Sequence, residues 1–205
     1  MRLFAHRVEP FDNGMYVIAD DRGDAILIDP SRGEREAMAT IHDHGLTLLE
    51  ILNTHGHQDH VFDNARVKEE TRARLAIHSA DAYRLDPATR PTGMLEPPKS
   101  VADDLIAEGP LSYLRDVEIQ ALHTPGHTEG SVCFHLPTEA LLFSGDVLFA
   151  GTVGRIDLPG GDARQMESSL ARVATLPPHT RVFPGHGPAT TVGAELRWLT
   201  GFRFS

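Results

Sequence analysis

The chain has 205 residues, 40% hydrophobic and 23% charged, with 18 glycines and 14 prolines, which excludes a disordered or collagen-like polymer. Its single cysteine, Cys133, excludes an internal disulfide framework, and 19 basic against 29 acidic residues give a formal charge of −10 that disfavours a nucleic-acid partner. No apolar run suits a signal peptide or a membrane span, so the expectation is a cytoplasmic protein with one domain over residues 1–205; oligomeric state is not legible.

Residues 15–20 (MYVIAD) and 24–29 (DAILID) read as two short strands around a turn at Arg22 and Gly23. Ser31 and Glu34 predict a capping box for a helix whose apolar face carries Ala37, Met38 and Ile41 and which stops at Gly45. Residues 46–53 resume as a largely buried strand ending abruptly in THGHQDH. A helix over 64–73 and a short strand over 75–78 follow. Asp86-Pro87, Arg90-Pro91 and Pro97-Pro98 then break the periodicity, predicting a loop over 85–99 at the substrate entrance and a short helix over 101–108. Strands are expected at 117–122, 131–136 and 140–144, the last two forming a hairpin through Pro137–Glu139. Asp162 and Gln165 cap a helix to about residue 175, with Met166, Leu170 and Val173 on its inner side. A strand at 181–183 leads into PGHG, and 191–199 reads as a closing helix. Strands and helices intermingle throughout, which fits mixed αβ layers.

Twelve histidines are the unusual number, and several are clustered. In THGHQDH, His55 and His57 alternate on an extended or turning segment while Asp59 and His60 sit at its end, so the segment can serve two adjacent ions. Three later positions complete a site: His127 in TPGHT, Asp146 directly after a strand in SGD, and His186 between two glycines in PGHG. A carboxylate has two oxygens, so Asp146 can be shared. The division is His55, His57 and His127 for one metal, Asp59, His60 and His186 for the other, and Asp146 for both. Asp29, at the end of ILID, is a candidate acceptor for the outer N–H of a metal-bound imidazole, and Thr54 is expected to order the loop. No Gly-x-Ser-x-Gly motif is present, and Cys133 reads as a small buried hydrophobe.

The motifs THGHQDH (54–60), TPGHT (124–128), SGDVLF (144–149), GRIDLPGGD (154–162) and FPGHG (183–187) stand in the order of a metallo-β-lactamase-fold hydrolase, and the chain resembles its glyoxalase II-like branch. That resemblance implies an α+β fold, an αββα sandwich with a dinuclear site at one edge of two sheets. It implies two divalent ions, zinc first with iron or manganese as alternatives, on the seven positions just named. It also implies a hydroxide held between the ions that attacks a thioester carbonyl, with Asp59 and Asp146 as the catalytic carboxylates. The expected partner is a small-molecule thioester, glutathione-linked in the manner of S-D-lactoylglutathione. Arg155 is the candidate for a substrate carboxylate, with Lys68, Arg90 or Lys99 as helpers; its other reading is a brace paired to Asp157 or Asp162. The C-terminal helical domain of the long glyoxalase II enzymes is not expected, and Asp146 makes penicillin hydrolysis less expected. An iron-dependent persulfide dioxygenase and a lactone or phosphodiester hydrolase of the same fold are the alternatives.

Overall fold

Strand β2 (Asn13–Ala19) buries all seven of its residues, because it lies inside a sheet covered on both faces. The structure, a computed structural model, describes residues 1–204. The chain starts with β1 (Arg2–Val8), antiparallel to β2, and continues through β3 (Asp24–Ile28), α1 (Glu34–Asp43) and β4 (Thr47–Leu52). Next come α2 (Gln58–Val61), α3 (Asn64–Thr71), β5 (Arg74–His78), a 3-10 segment over Ser79–Leu85 and the short edge strand β6 (Asp104–Ile106). These make one six-stranded sheet in the order β1-β2-β3-β4-β5-β6, parallel from β3 onward.

The second half contributes β7 (Gly109–Leu111), β8 (Ile119–His123), β9 (Val132–Leu136), β10 (Leu141–Gly145) and the small hairpin β11 (Leu148–Phe149) and β12 (Thr152–Val153). It closes with α4 (Ala163–Val173), β13 (Arg181–Pro184), β14 (Thr190–Thr191) and α5 (Val192–Leu199). Its sheet runs β14-β13-β10-β9-β8-β7, and only the β10–β13 pair is parallel.

The alternation of the strands explains the layers. Tyr16, Ile18, Ile26, Ile28 and Leu52 face one way and meet Phe134, Phe143 and Phe183 of the second sheet, forming the core between sheets. Met15, Val17, Leu27, Ile51 and Leu75 face the other way, onto Ala37 and Ile41 of α1 and Val67 of α3. On the far side Cys133, Leu142 and Val182 pack with Met166, Leu170 and Val173 of α4 and with Val192 and Leu199 of α5. Helix, sheet, sheet, helix is the αββα sandwich. Asp162 caps α4 as expected, accepting a hydrogen bond from the Gln165 N–H at 2.8 Å.

Two local expectations fail for physical reasons, and one strand lies outside those expected. Gly33, not Ser31, precedes α1 and has no side chain to cap it, and Ser31 is buried at φ +54° with its hydroxyl on the Asp29 carbonyl. The Glu34 N–H, an orphan donor of that first turn, is met instead by Asp63 at 3.2 Å. Residues 101–108 form no helix: Asp104–Ile106 pair parallel to β5, because edge pairing outweighs a weak helical pattern. The strand β1 was not expected, its inner and outer residues being too evenly mixed in RLFAHRV to signal a period.

Candidate metal centre

The parallel strands deliver the chemistry to one edge. Asp29 follows β3, the 54–60 loop follows β4, Asp146 follows β10 and His186 follows β13, all at carboxyl ends, while His127 lies in the turn after β8. All seven expected metal ligands meet there. His55 Nε2 lies 3.1 Å from His57 Nδ1, and His127 Nε2 lies 2.8 Å from the same atom. In the second group His60 Nε2 faces His186 Nε2 at 3.2 Å, and Asp59 Oδ2 is 3.2 Å from His186 Nε2 and 3.6 Å from His60 Nε2. Asp146 faces both groups: Oδ2 is 3.4 Å from His127 Nε2 and 3.5 Å from His186 Nε2, and Oδ1 is 3.4 Å from His60 Nε2.

The protons can be placed from the partners. His127 Nδ1 donates to the Arg155 carbonyl at 2.6 Å, and His186 Nδ1 donates to the Phe11 carbonyl at 2.8 Å. His60 Nδ1 donates to Asp29 Oδ2 at 2.9 Å. The Thr54 hydroxyl gives its proton to the same Oδ2 at 2.6 Å, so at 3.1 Å it is left as the acceptor for His55 Nδ1–H. In the neutral form each of these four rings therefore turns a bare Nε2 toward the cluster. Asp29 also accepts the Thr54 N–H at 2.8 Å through Oδ1, so one fully buried carboxylate sets rings in both groups. Its proximity to His55 and His60 gives it the spacing of a ligand. Its Oδ2, however, is already engaged twice.

Electrostatics follow the same division. Burial, then the neighbouring His127, drives His57 down to about 3, and burial holds His55 well below the ordinary imidazole range. Burial also opposes charge on His60 and His186. For His60 the Asp146, Asp59 and Asp29 carboxylates prevail, raising it well above the ordinary range; for His186 hydrogen bonds to Asp146 and Asp59 prevail, raising it to about 9. Burial disfavours the charged form of Asp146 and Asp59, but the adjacent imidazoles hold both below the usual carboxylate range. The carboxylates of buried Asp146 and half-buried Asp59 thus favour protons on His60 and His186. Divalent ions would replace them.

Within this cluster two buried atoms lack a hydrogen-bond partner among the described residues: Asp146 Oδ1 and His57 Nε2. With Oδ2 between His127 and His186 and the orphan Oδ1 beside His60, the Asp146 carboxylate fits a shared cation ligand, and the donor set of imidazoles and carboxylates suits zinc, iron or manganese. The residues present fit a dinuclear site.

Further residues order the loops. Asp81, fully buried in the 3-10 segment, accepts from the Gly56 N–H at 2.7 Å, the Thr128 hydroxyl at 2.8 Å and the Gly130 N–H at 2.9 Å, tying the His57 loop to the His127 loop. Asn13 donates to Asp59 Oδ2 at 3.0 Å. At Gly185 a Cβ would overlap Asp146 Oδ1, so the residue before His186 must be glycine for both side chains to face the site. Sequence reading missed Asp81 and Asn13, since neither stands in a motif.

A cavity of about 580 Å³ opens over the cluster, walled in part by Arg90, Pro91, Thr92, Gly93, Met94 and Leu95. The expected 85–99 loop thus borders the site. Arg155 also lines the cavity, but both its Nε and a terminal nitrogen hold Asp157 at 2.7 Å. Of the other basic residues considered for a glutathione patch, Arg90 lines the cavity with its guanidinium on Glu96. Lys68 and Lys99 border a separate groove, Lys68 paired with Asp103 and Lys99 with Asp86.

Comparison with known proteins decides the family. The model of the metallo-beta-lactamase superfamily matches residues 10–186. The chain belongs to that superfamily. It is 36% identical over 199 residues to the probable metallo-hydrolase YqgX of Bacillus subtilis (strain 168), covering 93% of each. It is 34% identical over 177 residues to a hydroxyacylglutathione hydrolase of Cereibacter sphaeroides (strain ATCC 17029 / ATH 2.4.9), covering 85% of this chain and 62% of that protein. Among solved structures, BLEG-1, a B3 metallo-beta-lactamase, superposes with TM-score 0.90 at 34% identity over 98% of this chain and 100% of that one. TTHA1623 in a di-iron-bound form gives 0.82 at 37% identity over 95% and 97%, and ETHE1 from Myxococcus xanthus gives 0.83 at 27% over 98% and 85%. The chain is a metallo-hydrolase of this superfamily, and none of its helices is long and apolar enough to cross a membrane among the described residues.

Proposed function

We propose that this protein hydrolyses thioesters with two divalent ions, one held by His55, His57 and His127, the other by Asp59, His60 and His186, with Asp146 between them. The observation that carries the reading is that four imidazoles have outer hydrogen bonds that turn their bare nitrogens inward, around a carboxylate whose Oδ1 has no hydrogen-bond partner. Bound there, the ions would acidify water and polarise the substrate carbonyl.

The chain's residues do the rest. Asn13 holds the Asp59 carboxylate on the cavity wall, where it can orient the attacking water and receive its proton for transfer to the leaving thiolate. Among the described residues no cysteine or serine lines the cavity, and burial pushes the Cys133 thiol up to about 12, which disfavours a thiol or serine nucleophile. The likeness to a hydroxyacylglutathione hydrolase supports a thioester substrate.

Persulfide oxidation is the second reading, favoured by the likeness to ETHE1. The completeness of the Asp59, His60 and His186 group favours hydrolysis with two ions. The test is to load the purified protein separately with zinc, manganese and iron. Thiol release from S-lactoylglutathione and from a neutral acyl thioester is then followed, together with oxygen uptake on glutathione persulfide and opening of a β-lactam. Thiol release that Asp146→Asn abolishes supports the proposal; oxygen uptake or β-lactam opening without thiol release contradicts it.

A further inference from the structure

The cavity is far larger than the chemistry over the metal cluster needs. It encloses about 580 Å³, whereas a water molecule occupies about 30 Å³. Away from the histidines an apolar part of its wall is made by Phe11, Phe149, Leu158 and Pro159, with Met94 and Leu95 on the loop. Met94 is 84% exposed, more than any other large hydrophobic side chain among the described residues, and it stands at the rim of this cavity rather than in a random surface position.

The loop is held in place by the metal-binding segment itself. Gln58, between His57 and Asp59, donates from Nε2 to the Pro91 carbonyl at 3.2 Å and accepts the Leu95 N–H through Oε1 at 3.0 Å. One side-chain amide thus closes the 91–95 turn from both ends. Gly93 makes room for it, since a Cβ there would overlap the Gln58 amide. Arg90 completes the base, donating to the Pro97 carbonyl at 2.8 Å and to Glu96 at 2.7 Å.

The cavity's other feature is what its cations are doing. Arg84 holds Glu129 at 2.6 Å, Arg90 holds Glu96 and Arg155 holds Asp157. Each arginine on the wall is already engaged by a carboxylate of this chain, so the wall offers an anionic tail less than it offers a hydrocarbon one.

We propose that this cavity seats an apolar hydrocarbon tail of the substrate, several carbons long, and that Gln58 is the positioning residue that holds the Met94–Leu95 wall against it. This rests on the thioester reading for the position of the carbonyl, but the tail site is a property of the wall alone. The tail can belong to either side of the thioester, the acyl group or the thiol.

The binding test uses neutral, non-hydrolysable thioethers, S-methyl through S-octyl N-acetylcysteamine, titrated calorimetrically into the metal-loaded protein. Affinity should rise about threefold per added methylene through at least the hexyl member. In Gln58→Ala that slope should fall by half or more. In Gln58→Glu, which keeps the acceptor for the Leu95 N–H, it should be intermediate. Chain-length-independent affinity in the wild type overturns the tail site; a full slope in Gln58→Ala at equal metal content overturns the role of Gln58. Turnover then assigns the side. An acetyl-to-octanoyl series on one thiol and a methyl-to-octyl thiol series on one acetyl group are compared, and the series with rising kcat/KM marks the side that occupies the wall. Absence of thiol release alongside a steep thioether slope would defeat the hydrolase reading and leave the tail site standing.

Discussion

Replacing Asp29 by Asn should unset a ring at the centre of the cluster while changing almost no volume. Asp29 Oδ2 accepts from His60 Nδ1 at 2.9 Å and from the Thr54 hydroxyl at 2.6 Å, while Oδ1 accepts the Thr54 N–H at 2.8 Å. An asparagine has one oxygen for these two positions. If the oxygen stays with the Thr54 N–H, the amide nitrogen faces His60 and Thr54, and His60 must accept at Nδ1 and carry its proton on Nε2. That proton then points at Asp59, His186 and Asp146, where a cation needs a lone pair. If the amide flips, two N–H groups face each other at Thr54. Hydrogen bonds to a charged group contribute about 1.5–3 kcal/mol each, and partners of this kind typically carry about 10–100-fold in metal affinity. We therefore expect Asp29→Asn to weaken the second ion about 100-fold and the first by less. It should also lower stability by about 2–3 kcal/mol, or roughly 5–10 °C in Tm for a chain this long. Competition against a chelator gives the two affinities. Long-range nitrogen–proton spectra of the imidazoles should show His60 protonated at Nδ1 in the metal-loaded wild type and at Nε2 in the variant. Retention of both ions within threefold, with the His60 tautomer unchanged, would refute the assignment of Asp29 as the residue that sets these rings.

Four further outcomes are expected. Asp146→Asn should lower the affinity for both ions. His127→Ala should chiefly empty the first group and His186→Ala the second, read as ions per chain by elemental analysis; equal losses in both alanine variants would contradict the division. Gly185→Ala should drive Asp146 out of its shared position and cost at least tenfold in metal affinity with the fold retained by circular dichroism; wild-type affinity would contradict the close approach. Glu50, only 2% exposed, is raised to about 7, first by burial and then by Asp104, so the native state keeps its proton longer than the unfolded chain does. Its contribution is therefore favourable at low pH and is lost as pH rises between about 4.5 and 7; Glu50→Gln should gain about 1–2 kcal/mol over the wild type at pH 8, discounted for screening, and nearly nothing at pH 5, by urea denaturation. An equal difference at both pH values would contradict it.

Much of the site was legible because its ligands come in short local runs. THGHQDH carries four of the seven, SGD places Asp146 directly after a strand and PGHG places His186 just beyond one, so spacing alone suggested two adjacent ions. Asp29 was legible as a polar residue ending an apolar strand. Asp81, Asn13 and Gln58 were not, because their partners lie far away in sequence: Thr128 is 47 residues from Asp81, and Pro91 is 33 from Gln58. The same limit applies to the fold. Asp162 and the apolar face of α4 act through residues three and four apart, and the helix formed as expected. Residues 104–106 pair with β5 across the 3-10 segment and the loop, and such tertiary pairing overrides a local helical pattern. Arg155 has two readings, substrate anchor and brace; it lines the cavity and holds Asp157 in a bidentate contact, so both features of those readings are present.

The central claim is that seven side chains of this chain hold two divalent ions around Asp146. Elemental analysis of the protein after saturation with zinc, manganese or iron and removal of loosely bound metal tests it most directly. Two ions per chain, falling to one in either His127→Ala or His186→Ala, is the predicted result; one ion per chain in the wild type under saturating metal would contradict it.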